Sequence, residues 1–200
     1  DAGGRVRPAL GRSDARCRRL RVDAAADRRS TPKTASVRRE QWIQMFSAIL
    51  NSLYGIDRLR RSFDAVGLIC GCRHSGTTLI ANILASHDDV YTALDEGKIF
   101  KARRPLLSRR RLRGFLKAAA ATGRRVALEK TPRSIYAVPL AFQILPDLKV
   151  IIPLRDGRDV VASCMTKGIP WDDISVNWTR SAEIAARFQD DPRVFVYRHE

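Results

Sequence analysis

Short apolar runs alternate with stretches of helical periodicity from about residue 65 onward. The runs at 66–70, 126–129, 149–154 and 194–198 have the length of buried strands. Apolar residues recur at helical spacing between them and predict helices over about 79–84, 134–145, 159–167 and 174–189. Strands that alternate with helices predict a parallel sheet with helices on both faces, which is a three-layer α/β/α fold.

The first third of the chain follows a different pattern. Residues 1–40 are rich in Arg, Ala, Gly and Ser without sustained periodicity, so we predict a disordered basic tail there. A helix is predicted from Arg39 to Leu53, because apolar residues recur at helical spacing, and Gly55 is expected to end it. The predicted organisation is therefore a tail over 1–40, a helical lead-in over 41–64 and an α/β domain over 65–200.

The net charge of +16 is concentrated in two blocks of the chain. Residues 1–40 carry 12 Lys/Arg and 5 Asp/Glu, and residues 101–125 carry 10 Lys/Arg and no acid. The rest of the chain is close to neutral. Such blocks attract polyanions without sequence preference, so we predict no specific nucleic-acid partner.

The apolar runs and the cysteines exclude several classes of protein. No run approaches the ~20 residues of a membrane-spanning helix, so we predict no transmembrane segment and, by default, a cytoplasmic location. The four cysteines lack zinc-site spacing and are interpreted as reduced thiols. They are Cys17, Cys70, Cys72 and Cys164.

A glycine-containing loop between the first predicted strand and helix reads GCRHSGTT over residues 71–78. Gly71, Gly76 and Thr78 match the phosphate-binding pattern G-x-x-x-x-G-K-[ST], but Thr77 replaces its lysine. Without that lysine, a metal-bound nucleoside triphosphate is disfavoured. The backbone N–H groups of such a loop, followed by a helix start, still favour an anion. The alternative is a turn that only caps the helix.

The stretch 66–90, with its Ser-Gly-Thr-Thr-Leu core, resembles the 5'-phosphosulfate loop of the P-loop sulfotransferases. The resemblance implies 3'-phosphoadenylyl sulfate (PAPS) as the donor. Its 5'-phosphate would be bound by Ser75, Gly76, Thr77 and Thr78. In this family a Lys or Arg directly precedes Ser-Gly-Thr and contacts the leaving oxygen. Here His74 holds that position and Arg73 precedes it, so either residue could take the role.

A second motif follows the strand predicted at 149–154. Arg155 ends this strand and Ser163 lies eight residues later, in the next predicted helix. A guanidinium and a hydroxyl at the carboxyl end of a strand can share one phosphate. By themselves they are more simply interpreted as an ordinary ion-pair partner and an ordinary helix residue. The pair resembles the 3'-phosphate motif of the same sulfotransferases.

The resemblance covers about residues 65–200, and it includes the segment 129–133 and Trp178. Because the family normally continues beyond this point, we expect the C-terminal part of the domain to be missing. The relatives that act on protein tyrosine and carbohydrate use a Glu after the first helix as the base. Glu96 is therefore the candidate base, with Asp95 as second choice, and a solvated acidic turn is the alternative.

Three other groups of residues have less specific patterns. The basic block at 101–125 is predicted to form an amphipathic helix, with Arg109, Arg110 and Arg111 available to an acidic acceptor. Glu129 is expected to pair with a nearby arginine. His87 and His199 are expected to be structural or surface residues.

The predicted function is in-line transfer of a sulfuryl group from PAPS to a hydroxyl or amine, without a metal. The acceptor could be a glycan, a protein tyrosine or a small molecule. Two alternatives stay open. One is a P-loop nucleotide kinase or NTPase, and the other is a degenerate protein that binds nucleotides or polyanions without catalysis.

Overall fold

The computed structural model describes residues 33–93 and 95–198. Five strands lie in this part of the chain: β1 Ala65–Ile69, β2 Val90–Thr92, β3 Val126–Lys130, β4 Lys149–Leu154 and β5 Val194–Arg198. The helices are α1 Lys33–Leu53, α2 Ile56–Arg60, α3 Thr77–Ala85, α4 Pro105–Ala120, the 3-10 helix Pro132–Ala137, α5 Val138–Ile144, α6 Gly157–Met165 and α7 Trp171–Phe188. None of these helices is long and apolar enough to span a bilayer.

The five strands form one parallel sheet in the order β2-β3-β1-β4-β5. Leu68 of β1 pairs with Glu129 of β3 on one side and with Val150 of β4 on the other. Helices flank the sheet, so the predicted three-layer α/β/α fold is confirmed. The short strand β2 was not predicted, because three residues at a sheet edge are too few to show a distinct apolar run.

Successive side chains of a strand point to opposite faces of the sheet, so the hydrophobic core is divided between these two faces. Leu68 and Val150 belong to the larger cluster, which α2, α4, α5 and α7 cover with apolar side chains. Ile69 and Leu128 face the opposite way and pack against Ala81 of α3. Burial on both faces explains why the strands read as nearly continuous apolar runs.

Helix α1 begins at Lys33, six residues before the predicted start, so the tail boundary predicted at residue 40 lies inside a helix. Its buried face is polar and includes Ser47 and Asn51. Trp42 and Phe46, which carry much of the helical spacing, are exposed. The disorder predicted over residues 1–32 lies outside the described residues and stays a prediction.

The single helix predicted at 134–145 is divided into the 3-10 helix and α5. Pro132 and Pro139 each lie in the first turn of one of the two segments, where the missing N–H of proline has no intrahelical acceptor to lose. The position of the two prolines therefore sets the boundary between the segments.

The most buried cation of α4 is a packing residue. Arg109 is 3% exposed, and it donates from Nε to Asn51 Oδ1 at 3.0 Å and from Nη2 to Ser47 Oγ at 2.6 Å. Both acceptors belong to α1, so this network joins the two helices. The expectation that Arg109 is available to an acidic acceptor substrate is wrong, because its guanidinium N–H groups donate hydrogen bonds inside the protein.

The next two arginines of the block stay nearer the surface. Arg110 is exposed, and Arg111 donates from Nη1 to the Lys98 carbonyl at 2.6 Å. Two clefts of about 590 and 510 Å³ lie at the carboxyl edge of the sheet, and neither Arg110 nor Arg111 lines them.

Candidate functional site

The order of the strands creates a crevice at the carboxyl edge of the sheet. The chain leaves β1 toward β2 and β3 on one side, whereas β4 and β5 lie on the other. In open α/β sheets, ligands bind beyond the carboxyl ends of the strands where the order reverses in this way. A cleft of about 590 Å³ lies there, and we name it the first cleft. Its lining includes Arg73, His74, Gly76, Thr77, Thr78, Arg155, Ser163 and Lys167.

The loop after β1 is held tightly against the neighbouring strand ends. The Gly71 N–H donates to the Pro132 carbonyl at 3.0 Å. A Cβ at Gly71 would lie 3.0 Å from the Pro153 carbonyl oxygen, so a side chain would be too close to the backbone there. His74 and Gly76 both have left-handed backbone torsions, with φ of 62° and 87°. The loop therefore reverses direction within a few residues and leads directly into α3.

The start of α3 presents unpaired backbone donors to the first cleft. No side chain of the described residues caps this helix, and its first hydrogen bond runs from the Ile80 N–H to the Gly76 carbonyl at 3.0 Å. The N–H groups of Thr77 and Thr78 therefore have no intrahelical acceptor. Together with the positive end of the helix dipole, they favour an anion at this position.

Ser75 is fully buried within the loop, and its Oγ has no hydrogen-bond partner of ordinary geometry among the described residues. The hydroxyl still lies close enough to the Cys72 thiol to lower its pKa. Burial has the larger and opposite effect, and it raises the pKa of Cys72 to about 11. Cys72 is therefore a neutral packing residue of the loop.

Arg155 and Ser163 line the same cleft as the loop, as their predicted shared ligand requires. The Arg155 guanidinium lies 3.4 Å from the His74 carbonyl through Nη1 and 3.6 Å from the Asp159 carboxylate through Nη2. The Trp178 indole N–H donates to the Arg155 carbonyl at 2.9 Å. The backbone of Arg155 is thus anchored, while much of its side chain remains available to a ligand.

His74 is expected to be neutral at pH 7. Burial lowers its pKa, and the positive charges of Lys167, Arg73 and Arg155 lower it further. A neutral imidazole can donate one hydrogen bond to a leaving oxygen but adds no charge. Arg73 is exposed and carries a guanidinium charge, so it is the stronger candidate for charge neutralisation.

Glu96 lies where the first cleft meets a second cleft of about 510 Å³. The lining of the second cleft includes Arg73, Glu96, Lys98, Phe100, Lys101, Arg133, Ser134 and Tyr136. Glu96 Oε1 is 3.9 Å from Lys130 Nζ, so an ion pair orients the candidate base. Asp95 is exposed and lines neither cleft.

Glu129 is a buried carboxyl and has no arginine partner among the described residues, so the expectation of an ion pair is wrong. It is 1% exposed, and one oxygen accepts a hydrogen bond from the Thr131 hydroxyl. The other oxygen has no partner in this part of the chain. Burial raises the pKa of Glu129 to about 7, and nearby Glu96 raises it to a smaller extent.

Three residues of this region were not singled out from the sequence. Lys130 ends strand β3, Lys167 lies four residues after Ser163 in the turn that follows α6, and Ser134 begins the helix predicted at 134–145. The spacing of Ser163 and Lys167 could have indicated a shared helix face. Nothing in the sequence alone indicates that Lys130 approaches Glu96.

The remaining predicted residues lie elsewhere. His87 accepts from the Asp89 N–H at its own turn, and His199 lies outside the described residues. Cys70, Cys72 and Cys164 are buried free thiols, and Cys17 is also outside the described part. Within residues 33–93 and 95–198, no cluster of three His, Cys, Asp or Glu side chains is arranged to hold a metal ion.

Comparison with known proteins adds no assignment to this geometry. The sequence matches no protein-family model and shows no significant match to a curated protein.

Proposed function

We propose that the first cleft binds PAPS and that the protein transfers its sulfuryl group to a hydroxyl or amine. The observation that carries the proposal is the convergence of two anion-binding elements on one cleft. The glycine loop with the start of α3 forms one of them, and Arg155 with Ser163 forms the other. PAPS has two separate phosphate positions, and the sulfotransferase-like order of the motifs matches this need.

The side chains and amides of the cleft have distinct proposed roles. The N–H groups at Gly76, Thr77 and Thr78 bind the 5'-phosphate, and Arg155 and Ser163 bind the 3'-phosphate. Arg73 neutralises the charge that develops on the leaving oxygen, with His74 as a hydrogen-bond donor. Lys167 adds positive charge to the same cleft.

Glu96 is proposed as the base. When PAPS is bound, it supplies an activated sulfuryl group whose bond to the phosphate oxygen breaks as the acceptor bonds to sulfur. Glu96 accepts the proton that the acceptor loses, and Lys130 keeps its carboxylate oriented toward the junction of the clefts. Positioning and charge neutralisation account for the rest of the catalysis.

Calorimetric titration with 3',5'-adenosine bisphosphate, beside ATP with magnesium, tests the proposed donor site. We expect micromolar binding of the bisphosphate and a loss of about 10- to 100-fold in Arg155→Ala, since a hydrogen-bonded charge contact is worth roughly 1.5–3 kcal/mol. Arg187→Ala, on the exposed end of α7, is the matched control and should bind normally.

Other outcomes of this titration would redirect the assignment. Tighter binding of Mg-ATP would indicate a kinase or NTPase, despite Thr77 at the lysine position of the loop. Bisphosphate binding without turnover on any acceptor would support the degenerate binding protein. If neither the bisphosphate nor Mg-ATP binds, the proposal is refuted.

A further inference from the structure

The second cleft adjoins the first through Arg73 and Glu96, which line both. Its remaining walls come from the segment before α4 and from the 3-10 helix. With a volume of about 510 Å³, it has the size of sites that hold small organic ligands. A ligand there would have one end beside the proposed base.

The walls of the second cleft are strongly basic. Arg73, Lys98, Lys101 and Arg133 all line it, and Glu96 is the one acid among its lining residues. Glu96 is itself paired with Lys130. Within residues 33–93 and 95–198, none of the four cations forms an ion pair with a carboxylate. The cleft therefore has a net positive potential that favours an anion.

A buried hydroxyl in the second cleft also lacks a partner. Ser134 is 1% exposed, and its Oγ makes no hydrogen bond within the described part of the chain. Because buried polar groups are nearly always paired, the unpaired hydroxyl of a residue that lines the cleft is a candidate contact for a ligand atom. The hydroxyl of Tyr136 is already bonded to Asn177 Oδ1 at 3.1 Å, which fixes its ring at the same wall.

We infer that the second cleft holds the acceptor and selects one that carries a fixed anionic group in addition to its reactive hydroxyl or amine. This inference rests on the proposed sulfuryl transfer and names the class of its acceptor. The reactive group lies toward Glu96 and Arg73, where the clefts meet. The anion, which could be a carboxylate, sulfate or phosphate, lies toward Lys101 and Arg133, with Ser134 available to donate to it.

The charge preference can be measured with two compounds that differ in one group. The first is 6-hydroxynaphthalene-2-sulfonate and the second is the neutral 6-hydroxynaphthalene-2-sulfonamide, each titrated by fluorescence. Saturating 3',5'-adenosine bisphosphate keeps the probe out of the first cleft. We expect the sulfonate to bind at least about tenfold more tightly, with a preference that weakens as salt is raised.

Variants assign the preference to the second cleft. Lys101→Gln and Arg133→Gln should each weaken sulfonate binding by about three- to tenfold, as expected for a charge-assisted contact at a partly exposed site. Ser134→Ala should weaken it by a smaller factor. Lys117→Gln and Arg113→Gln remove equal charges from exposed positions of α4 outside both clefts and should have no effect.

Equal affinity for the two compounds would overturn the inference. So would an equal loss in the α4 controls, because the attraction would then come from net charge alone. If the bisphosphate binds and the anion preference is absent, only the acceptor class is wrong. If wild-type protein fails to bind the bisphosphate, the proposed function itself is refuted.

Discussion

Two arginines in different regions of the molecule show how differently the same side chain can be used. Arg109, at the junction of α1 and α4, is buried and donates to Asn51 and Ser47. Arg155, at the carboxyl edge of the sheet, is partly exposed and has long contacts of 3.4 and 3.6 Å with its protein neighbours. The first has its donors satisfied inside the fold, and the second keeps them available.

Local charge density along the chain is therefore a poor guide to a binding residue. Arg109 belongs to the most basic stretch of the chain, yet it stabilises packing. Arg155 is followed closely by two acids, Asp156 and Asp159, yet it faces the first cleft. The two arginines differ in how closely distant segments bond their donors, at 2.6 and 3.0 Å for Arg109 and at 3.4 Å for Arg155. The following predictions test this distinction.

The largest expected effect is on the buried network. Arg109→Met should lower the free energy of unfolding by about 3 kcal/mol, because the buried Asn51 Oδ1 and Ser47 Oγ both lose the N–H donor that they accept from. Urea denaturation measures this change, and folded Arg109→Met should still bind 3',5'-adenosine bisphosphate normally. Arg110→Met, exposed on the same helix, is the control and should stay within about 0.5 kcal/mol of wild type.

The comparison would fail if Arg109→Met were as stable as Arg110→Met. It would also fail if Arg155→Ala, rather than Arg109→Met, caused the larger loss of stability.

Glu129 is the intermediate case, since it is as buried as Arg109 but only one of its oxygens is bonded. Its pKa of about 7 lies above the ordinary value of 4.5, so the folded state binds the proton more tightly than the unfolded state. The protonated carboxyl of Glu129 therefore contributes fully to the free energy of unfolding below about pH 4.5. This contribution is lost as the pH rises through about 7. The loss should approach about 3 kcal/mol by pH 8.

Glu129→Gln should remove this pH dependence. At pH 8 the variant should be more stable than wild type by up to about 3 kcal/mol, and near pH 4.5 the two should be similar. Denaturation curves at several pH values measure the difference. Glu183→Gln, at an exposed position of α7, is the control. A constant difference between Glu129→Gln and wild type at all pH values would contradict the interpretation.

The smallest expected effect is on the anchoring of Arg155. A Cβ at Gly157 would lie 3.1 Å from the Trp178 ring, which donates to the Arg155 carbonyl. Gly157→Ala should therefore displace the ring by a few tenths of an ångström. We expect a loss of about 1 kcal/mol in stability and a several-fold loss in affinity for the bisphosphate.

Gly114→Ala provides the matched control in α4, where a new Cβ would meet no atom within 4 Å. It should stabilise the protein by roughly 0.5–1 kcal/mol, since alanine is the better helix former, and leave nucleotide affinity unchanged. Unchanged affinity in Gly157→Ala would show that Trp178 does not position Arg155.

Much of the fold could be predicted from the sequence because its signals are local. Four of the five strands appear as apolar runs, and helical spacing follows three of these four, β1, β3 and β4. Strand β2 and helix α2 were missed because elements of three and five residues carry too little periodicity. The apolar spacing in α1 was misleading about packing, since Ser47 and Asn51 form its buried face.

The residues of the candidate site also fall into two groups, those that could be placed from the sequence and those that could not. Gly71 and Arg155 could be placed at strand–helix junctions and Ser163 in the helix that follows, because the end of a strand and the start of a helix are marked by neighbouring residues. The partners of Lys130, Glu129 and Arg109 could not be predicted. The Arg109–Asn51 bond, for example, joins residues 58 positions apart.

Four strands, most of the helices and the glycine-containing loop after β1 could be located from the sequence, because backbone conformation depends mainly on near neighbours. The tertiary structure alone decided the strand order, and with it the meeting of the β1 and β4 loops at one cleft. It also decided which charged groups are buried and bonded and which face a cleft. Burial and hydrogen-bond satisfaction are set by segments distant in the chain, and these determine whether a charge stabilises the fold or remains available to a ligand.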